Sequence, residues 1–246
     1  MKRQSQKEFL KEYDASGFER PSVTVDLVMF TVMNESLNVL MIRRGQQPFS
    51  GRWALPGGFV RMDETLEEAA ARELDEETGV SANGVYLEQL YTFGDPGRDP
   101  RTRVITVAYF ALVDSSKIEP RVTGQEGISD VQWFPVHELP KDIAFDHWSI
   151  MECALKRLRN KLEYTAVGLE LLPDQFTLTE LQSLYETILG EELDKRNFRK
   201  KMLSMGVLRP TKGYRKGGHR PALLYEFMDA KPSSTFKKTR FERGTG

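Results

Sequence analysis

The stretch GFVRMDETLEEAAARELDEETGV, which runs from Gly58 to Val80, decides the fold of the first half of this chain. Thr65 and Glu68 have the spacing of a capping box, which predicts that a helix begins there. Gly79 is the residue type that ends many helices, because glycine adopts a left-handed conformation without strain. The stretch therefore predicts one helix that follows a glycine-rich turn and carries acids near its end.

The acids of this helix lie on its apolar face. At about 100° per residue, Glu73, Glu76 and Glu77 fall within an arc of roughly 100° that also contains small apolar residues one to two turns earlier. A solvated acidic face would lie opposite the apolar stripe instead. Three converging carboxylates favour a hard cation such as Mg²⁺, which prefers oxygen ligands and polarises phosphates. Gly57 and Gly58 either bring the backbone close to that metal or form an ordinary turn.

The spacing and order of these residues match the Nudix box, the magnesium-binding signature of enzymes that cleave nucleoside diphosphates linked to another group. The resemblance implies that Mg²⁺, or Mn²⁺ in its place, is bound by the three helical acids and the backbone at Gly58. It also implies that Arg72 orients the acids through charge-assisted hydrogen bonds. The predicted metal and catalytic set is Gly58, Glu64, Arg72, Glu73, Glu76 and Glu77, with Glu126 as a weaker candidate.

Composition excludes several classes of protein. The chain has 246 residues, of which 39% are hydrophobic and 29% charged, so it is long enough for two domains with full cores. It has no apolar run long enough to cross a membrane and no apolar core of a signal peptide near its start. Cys153 is the only cysteine, so we expect no disulfide framework and a cytoplasmic protein.

Charge is distributed unevenly along the chain. From residue 191 to 246 there are 15 Lys and Arg against 6 Asp and Glu, a balance of +9. Because the whole chain has a formal charge of −1, the first 190 residues carry −10. An acidic front part and a basic rear part predict different partners for the two.

Alternating apolar residues predict the architecture of the front part. Strands are expected over 23–30, 37–42, 85–93, 103–112 and 131–134, and a helix over 149–162. Mixed strands between helices predict a layered α/β domain. We divide the chain into a polar arm at 1–20, this α/β domain with its linker helix at 21–172, a second domain at 173–228 and a basic, disordered tail at 229–246.

Two loops resemble the ADP-ribose-handling branch of the Nudix superfamily. They are the run from Tyr91 to Arg101 and the segment 144–147. The resemblance implies that Arg98 and Arg101 pair with phosphates and that Tyr91 or Phe145 stacks on adenine. Solvated loop arginines and core aromatics are the alternatives. For His147, which follows an aspartate, we expect a structural hydrogen-bonding pair rather than catalysis, and we expect no zinc site.

The second domain has a helix, a turn, a basic helix and a basic hairpin. Thr177 begins the first helix, Gly190 ends it, and Asp194 caps the second, whose Phe198 and Met202 lie on one face. The hairpin strands are expected near 206–208 and 222–227, with a loop over 211–220 between them. This order predicts a winged helix. The predicted DNA contacts are Lys195, Arg196, Asn197, Arg199, Lys200, Lys212, Arg215, Lys216 and Arg220.

A small helical dimerisation module with a solvated basic surface is the alternative interpretation of this second domain. The segments 176–182, 197–201 and 220–225, together with the Nudix domain, resemble the Nudix-related transcriptional regulators of bacteria. The resemblance implies an α/β Nudix sandwich joined to an α+β winged helix. It further implies a homodimeric repressor that binds a double-stranded DNA operator and senses ADP-ribose in NAD or sugar metabolism. Because the box is complete, hydrolysis of ADP-ribose is also expected. A dedicated pyrophosphatase with a dimerisation appendage is the alternative function.

Overall fold

The structure is a computed structural model and describes residues 5–79, 81–82, 85–117, 127–216 and 221–228. The predicted base candidate Glu126, the wing candidate Arg220 and the predicted tail after residue 228 lie outside these ranges. Among the described residues, no helix combines the length and apolar character that crossing a membrane requires.

The front part is a seven-stranded mixed sheet between helices. Its strands are β1 (Ser22–Met33), β2 (Ser36–Arg44), β3 (Trp53–Ala54), β4 (Gly57–Phe59), β5 (Tyr86–Phe93), β6 (Val104–Leu112) and β7 (Ile128–Pro135). The order is β3-β2-β1-β6-β5, with β4 also paired to β1 and β7 to β2. The β1–β6 pair is parallel and the other pairs are antiparallel. The predicted sandwich is confirmed.

Helices cover both faces of this sheet. Helix α2 (Leu66–Thr78) packs Ala69, Ala70 and Leu74 against the residues of β1 that alternate from Val25 to Met29. Helix α3 (His147–Leu162) covers the other face, where the intervening β1 residues point. The strand alternation that predicted the sheet therefore also explains why both faces are buried.

The second domain has the predicted helices and wing. Its elements are β8 (Gln175–Thr177), α4 (Leu178–Leu189), α5 (Lys195–Ser204), β9 (Leu208–Arg215) and β10 (Ala222–Phe227). Thr177 and Asp194 cap the two helices, and Gly190 ends α4 in a left-handed conformation. The winged-helix prediction is confirmed.

In the arm and the second domain, three elements differ from the sequence prediction. Strand β9 continues to Arg215, so the expected loop over 211–220 is too long, because cross-strand pairing with β10 extends through this polar segment. Strand β8 completes a three-stranded sheet with β10 and β9, and it is too short to show periodicity. The arm forms a short helix, α1 (Gln6–Glu12), which begins with a capping box at Ser5.

Candidate functional site

Helix α2 carries the three predicted acids in its second half, beside the sheet. Glu73 and Glu77 are buried, at 5% and 7% exposure, and Glu76 is half-buried. Glu73 lies one turn after the buried Ala69, and Glu77 one turn after Glu73, because residues i and i+4 share one helix face. The expected continuation of the apolar stripe into acids is therefore present.

Arg72 forms an ion-pair network with three of the predicted site acids. It donates two hydrogen bonds to Glu64, at 2.6 and 2.8 Å, one to Glu73 at 2.6 Å and one to Glu76 at 3.0 Å. The hydrogen bonds from Arg72 lower the pKa of Glu64 to about 2, although loss of solvent around the carboxyl opposes the effect. Arg72 therefore holds Glu64 ionised and orients the acids around it.

Glu77 is buried beside the glycine turn that precedes α2. It accepts a 2.6 Å hydrogen bond from the backbone N–H of Gly57. Burial raises the pKa of Glu77 well above its ordinary value, and the nearby charge of Glu73 raises it further. Burial also raises the pKa of Glu73, against the opposing effect of Arg72. A bound cation would reduce the repulsion between these two buried carboxylates.

The backbone before α2 leaves no room for side chains. A Cβ on Gly58 would lie 2.1 Å from Oε1 of Glu73, and a Cβ on Gly57 would lie 2.3 Å from the carbonyl oxygen of Val25. Both glycines are therefore required for close approach, not only for a turn. The carboxylate oxygens of Glu73 and Glu77 beside this segment are hard ligands of the kind that Mg²⁺ takes. In the described ranges, no three Asp, Glu, His or Cys side chains lie close enough together to form a ready metal site.

A cavity of about 210 Å³ opens beside this backbone segment. It extends from Gly57 and Gly58 towards the loops that follow β5 and precede α3. Its other walls are Thr24, Asp26, Ile42, Arg44, Leu55, Phe59, Arg98, Asp99, Arg101, Phe145 and His147. The cavity therefore joins the glycine segment, which contacts Glu73 and Glu77, to the predicted ligand-binding residues Arg98, Arg101 and Phe145.

The two predicted phosphate-binding arginines differ in their surroundings. Arg98 is 4% exposed and donates hydrogen bonds to Asp146, at 2.7 and 2.9 Å, and to Asp26 at 3.1 Å. Its charge is thus largely neutralised within the cavity wall. The side chain of Arg101 is 43% exposed and pairs with the carboxylate of Asp99 at 2.6 Å. Arg101 is therefore the better placed of the two to meet an anion.

Arg44 is a cavity residue that the sequence analysis missed. Its Nε donates a 2.8 Å hydrogen bond to the carbonyl of Pro48, and its guanidinium lies 4.9 Å from the ring centre of Phe145. Burial lowers the pKa of Arg44, and the positive charge of Arg101 lowers it further. Within the described residues, no carboxylate lies at ion-pair distance from it. The signal in the sequence is its place two residues after the predicted strand 37–42.

The two predicted stacking aromatics lie in different places. Phe145 lines the cavity, with its ring edge-on to Phe49 at 4.8 Å, and it adopts a φ of 54°. Tyr91 is 61% exposed on β5 and contacts Phe93 outside the cavity walls. The structure therefore brings only Phe145 to the arginines.

His147 has a structural role, with partners other than the expected Asp146. Its Nδ1 accepts a 2.8 Å hydrogen bond from the N–H of Leu55, and its Nε2 lies 3.6 Å from Asp26. Burial lowers the pKa of His147, which favours the neutral ring. Asp146 binds Arg98 instead. The predicted His147–Asp146 pair is therefore wrong, because long-range contacts provide better partners than the sequence neighbour.

Most predicted DNA contacts on α5 are exposed. Phe198 and Met202 are buried, at 1% and 0%, which leaves Lys195, Arg196, Asn197 and Lys200 facing solvent. Arg199 differs, because it donates a 3.1 Å hydrogen bond to the hydroxyl of Thr179 on α4.

The wing has the same mixture of exposed and engaged residues. Lys212 and Lys216 are exposed, whereas Arg215 contacts the carboxylate of Glu180 at 3.2 Å and the carbonyl of Gln175. Arg199 and Arg215 thus connect α5 and the wing to α4 or to β8 just before it. The lysines predicted to contact DNA are exposed to solvent.

Two family models match the chain. The NUDIX domain model covers residues 21–156, and the model of the NrtR DNA-binding winged helix domain covers residues 168–227. The first range contains the acid cluster and the cavity, and the second contains α4, α5 and the wing.

Similar proteins share both domains. The chain is 41% identical over 226 residues to the ADPR responsive transcriptional repressor NtrR of Acinetobacter baylyi, covering 91% of this chain and 88% of the relative. The crystal structure of Shewanella oneidensis NrtR with a 27mer DNA is 36% identical with a TM-score of 0.78, covering 88% of this chain and 98% of that one. The NUDIX domain of the same protein with ADP ribose is 38% identical with a TM-score of 0.56, covering 63% and 99%. The chain therefore belongs to the Nudix family and, within it, to the NrtR-type proteins that join a Nudix domain to a DNA-binding winged helix.

Proposed function

We propose that this protein is a transcriptional repressor that binds operator DNA through its winged helix and responds to ADP-ribose through its Nudix domain. The observation that carries this proposal is the exposed basic face of α5 in a chain that also holds a cavity lined by three arginines. The names of the similar proteins from A. baylyi and S. oneidensis support the same function.

In this proposal, helix α5 enters the major groove. Asn197 and Arg196 are exposed near its start, where a recognition helix reaches base edges. Lys195, Lys200 and the wing lysines hold phosphates. Arg199 and Arg215 position the helix and the wing through Thr179 and Glu180. As in other winged helices that bind palindromes, we propose a homodimer on a double-stranded operator.

ADP-ribose would occupy the cavity beside the glycines. Arg44 and Arg101 repel each other there, so binding of the negatively charged pyrophosphate would reduce that repulsion. Phe145 offers a ring for adenine, and Arg101 lies 5.4 Å from the ring centre of Phe59 and 5.9 Å from that of Phe145. Arg98 holds Asp26 and Asp146 in place at the cavity wall, because it donates hydrogen bonds to both. Tyr91 lies outside the walls, so we assign stacking to Phe145.

The acid cluster fits Mg²⁺, with Mn²⁺ as a substitute. Glu73, Glu76 and Glu77 would hold the ion together with the carbonyl of Gly58, and Arg72 and Glu64 would orient them. When bound, the ion would neutralise the pyrophosphate and activate a water. The chain's own residues bury the acids and keep the backbone close to the phosphates. We propose that the domain hydrolyses ADP-ribose to AMP and ribose 5-phosphate.

A dedicated ADP-ribose pyrophosphatase is the second candidate function. The burial of Glu73 and Glu77 in a complete box favours it, because a domain that only binds has no need of two repelling acids. In that case the second domain would serve dimerisation. The solvent-facing surface of α5 is basic rather than apolar, which disfavours such a role.

Selection of genomic fragments by the purified protein at physiological salt, with and without ADP-ribose, tests the proposal. We expect an enriched palindrome whose recovery changes with ADP-ribose. The double variant Lys195→Ala, Lys200→Ala should lose the enrichment and keep any AMP production. Lys141→Ala, an exposed lysine outside the winged helix, is the matched control. No enrichment under either condition, together with AMP production, would support the pyrophosphatase instead.

A further inference from the structure

Helix α3 extends from the ligand cavity to the winged helix. Its 16 residues run from His147 to Leu162, which at 1.5 Å per residue is about 24 Å. Its first residue lines the cavity, and its last turn contacts the second domain. Since a helix transmits displacement along its axis, its two ends are mechanically linked.

The N-terminal end of α3 touches both parts of the Nudix site. His147 accepts the hydrogen bond from Leu55, which directly precedes the segment Pro56–Gly58. Asp146, the residue before the helix, binds Arg98 in the cavity wall. Phe145, with a φ of 54°, lies against Arg44 and contributes to the same wall. A ligand that fills the cavity or shifts the glycine segment therefore acts directly on this end.

The C-terminal end of α3 binds both helices of the winged helix. Arg159 donates a 2.8 Å hydrogen bond from Nε to the carbonyl of Ile188, in the last turn of α4. Lys201 of α5 donates a 3.2 Å hydrogen bond to the carbonyl of Glu163, the C-terminal cap of α3. Each contact pairs a cation with a carbonyl at a helix C-terminus, where the helix dipole favours positive charge.

Close packing reinforces these two polar contacts. Leu158 and Leu162 are buried in the same apolar cluster as Tyr185 of α4 and Phe198 of α5. A Cβ on Gly168 would lie 2.8 Å from Leu162 and 2.9 Å from Tyr185. Interfaces packed this closely move between discrete arrangements rather than deform continuously.

We propose that α3 transmits the state of the ADP-ribose cavity to the winged helix through Arg159 and Lys201. The inference rests on the proposed function, since it concerns the route by which ligand and DNA affect each other. A displacement of α3 at the cavity moves the carbonyl of Glu163 and the guanidinium of Arg159 together. The positions of α5 and α4 then change, and the DNA-binding surface follows. By thermodynamic linkage, DNA must alter ADP-ribose affinity by the same factor.

The coupling factor, the ratio of DNA Kd with and without saturating ADP-ribose, tests this route. Coupling factors in allosteric proteins are about 5–150-fold, and changes along a coupling route alter them by about 2–30-fold. We expect Arg159→Met and Lys201→Met each to reduce the factor within that range. ADP-ribose affinity without DNA should stay unchanged in both, and Lys201→Arg, which keeps a donor, should restore the coupling.

Controls separate this inference from the proposed function. Lys156→Met removes an exposed cation from the same helix and should leave both DNA affinity and the coupling factor unchanged. Thermal unfolding verifies that each variant is folded, and the two methionine variants test independent contacts. A wild-type coupling factor of one would overturn the proposed function. A clear wild-type factor that persists in both Arg159→Met and Lys201→Met would overturn only the α3 route.

Discussion

Alanine in place of Gly58 should disable the metal site while leaving the fold largely intact. The new Cβ would lie 2.1 Å from Oε1 and 2.8 Å from Oε2 of Glu73, whereas ordinary contact begins at 3.4 Å. The carboxylate must therefore retreat, and a misplacement of about 1 Å in a catalytic site costs on the order of 10²-fold in rate. The obstacle is the end of a flexible side chain, so the backbone can stay in place.

The cost in stability follows from the bond that Glu73 loses. Its retreat breaks the 2.6 Å hydrogen bond from Arg72, and a hydrogen bond to a charged group contributes about 2 kcal/mol. That loss lowers Tm by about 4–8 °C in a chain of this size. At Gly57, a Cβ would instead lie 2.3 Å from the carbonyl oxygen of Val25, which is backbone. The β1–β4 pair must then shift, so Gly57→Ala should cost about 3 kcal/mol or more.

Two measurements test this pair of substitutions. AMP release from ADP-ribose with Mg²⁺ should fall about 10²-fold in Gly58→Ala, and the rise in Tm that Mg²⁺ produces should largely disappear. Gly17→Ala is the control, since its Cβ would meet nothing within 4 Å. The reasoning is refuted if Gly58→Ala keeps wild-type turnover and magnesium stabilisation, or if Gly57→Ala unfolds at a higher temperature than Gly58→Ala.

Three further predictions concern charge. Glu77→Gln should raise the Tm of the metal-free protein, because burial and Glu73 raise the pKa of Glu77, and should abolish magnesium stabilisation. An unchanged response of Tm to Mg²⁺ would contradict this. Lys195→Ala with Lys200→Ala should reduce the magnitude of the slope of log K for DNA binding against log salt concentration by about 2. An unchanged slope would mean that neither lysine contacts a DNA phosphate. Burial lowers the pKa of Lys201 from 10.5 to about 8, so the unfolded state binds more protons between these values and stability rises with pH there. Denaturant unfolding from pH 8 to 10 should show a smaller rise in Lys201→Met.

The elements that sequence predicted well are those with local causes. Helix α2 follows from a capping box, a glycine stop and apolar spacing, and all of these act within a few turns. The same holds for α4, whose cap at Thr177 and end at Gly190 appear as expected. The burial of Phe198 and Met202 on α5 also follows from i,i+4 spacing. Local hydrogen bonds and periodicity need no knowledge of distant residues.

The cavity depends on contacts between distant parts of the chain. Arg98 pairs with Asp26, 72 residues away in the chain, and with Asp146, 48 residues away. The loop sequence therefore could not predict that these carboxylates neutralise its charge. Arg44 becomes a cavity residue only because β2 ends opposite the loop that carries Phe145. Strand β8 exists only because β10 offers it an edge.

The sequence by itself determined the Nudix box, its acids, the layered α/β class and the basic winged helix, because each of these has a local pattern of spacing, capping or charge. Only the tertiary structure decided which arginines face a ligand, which histidine partner is used and how α3 joins the cavity to α4 and α5. Those outcomes depend on the competition among many polar partners for the same side chain. Folding settles that competition through long-range packing, which spacing along the chain does not encode.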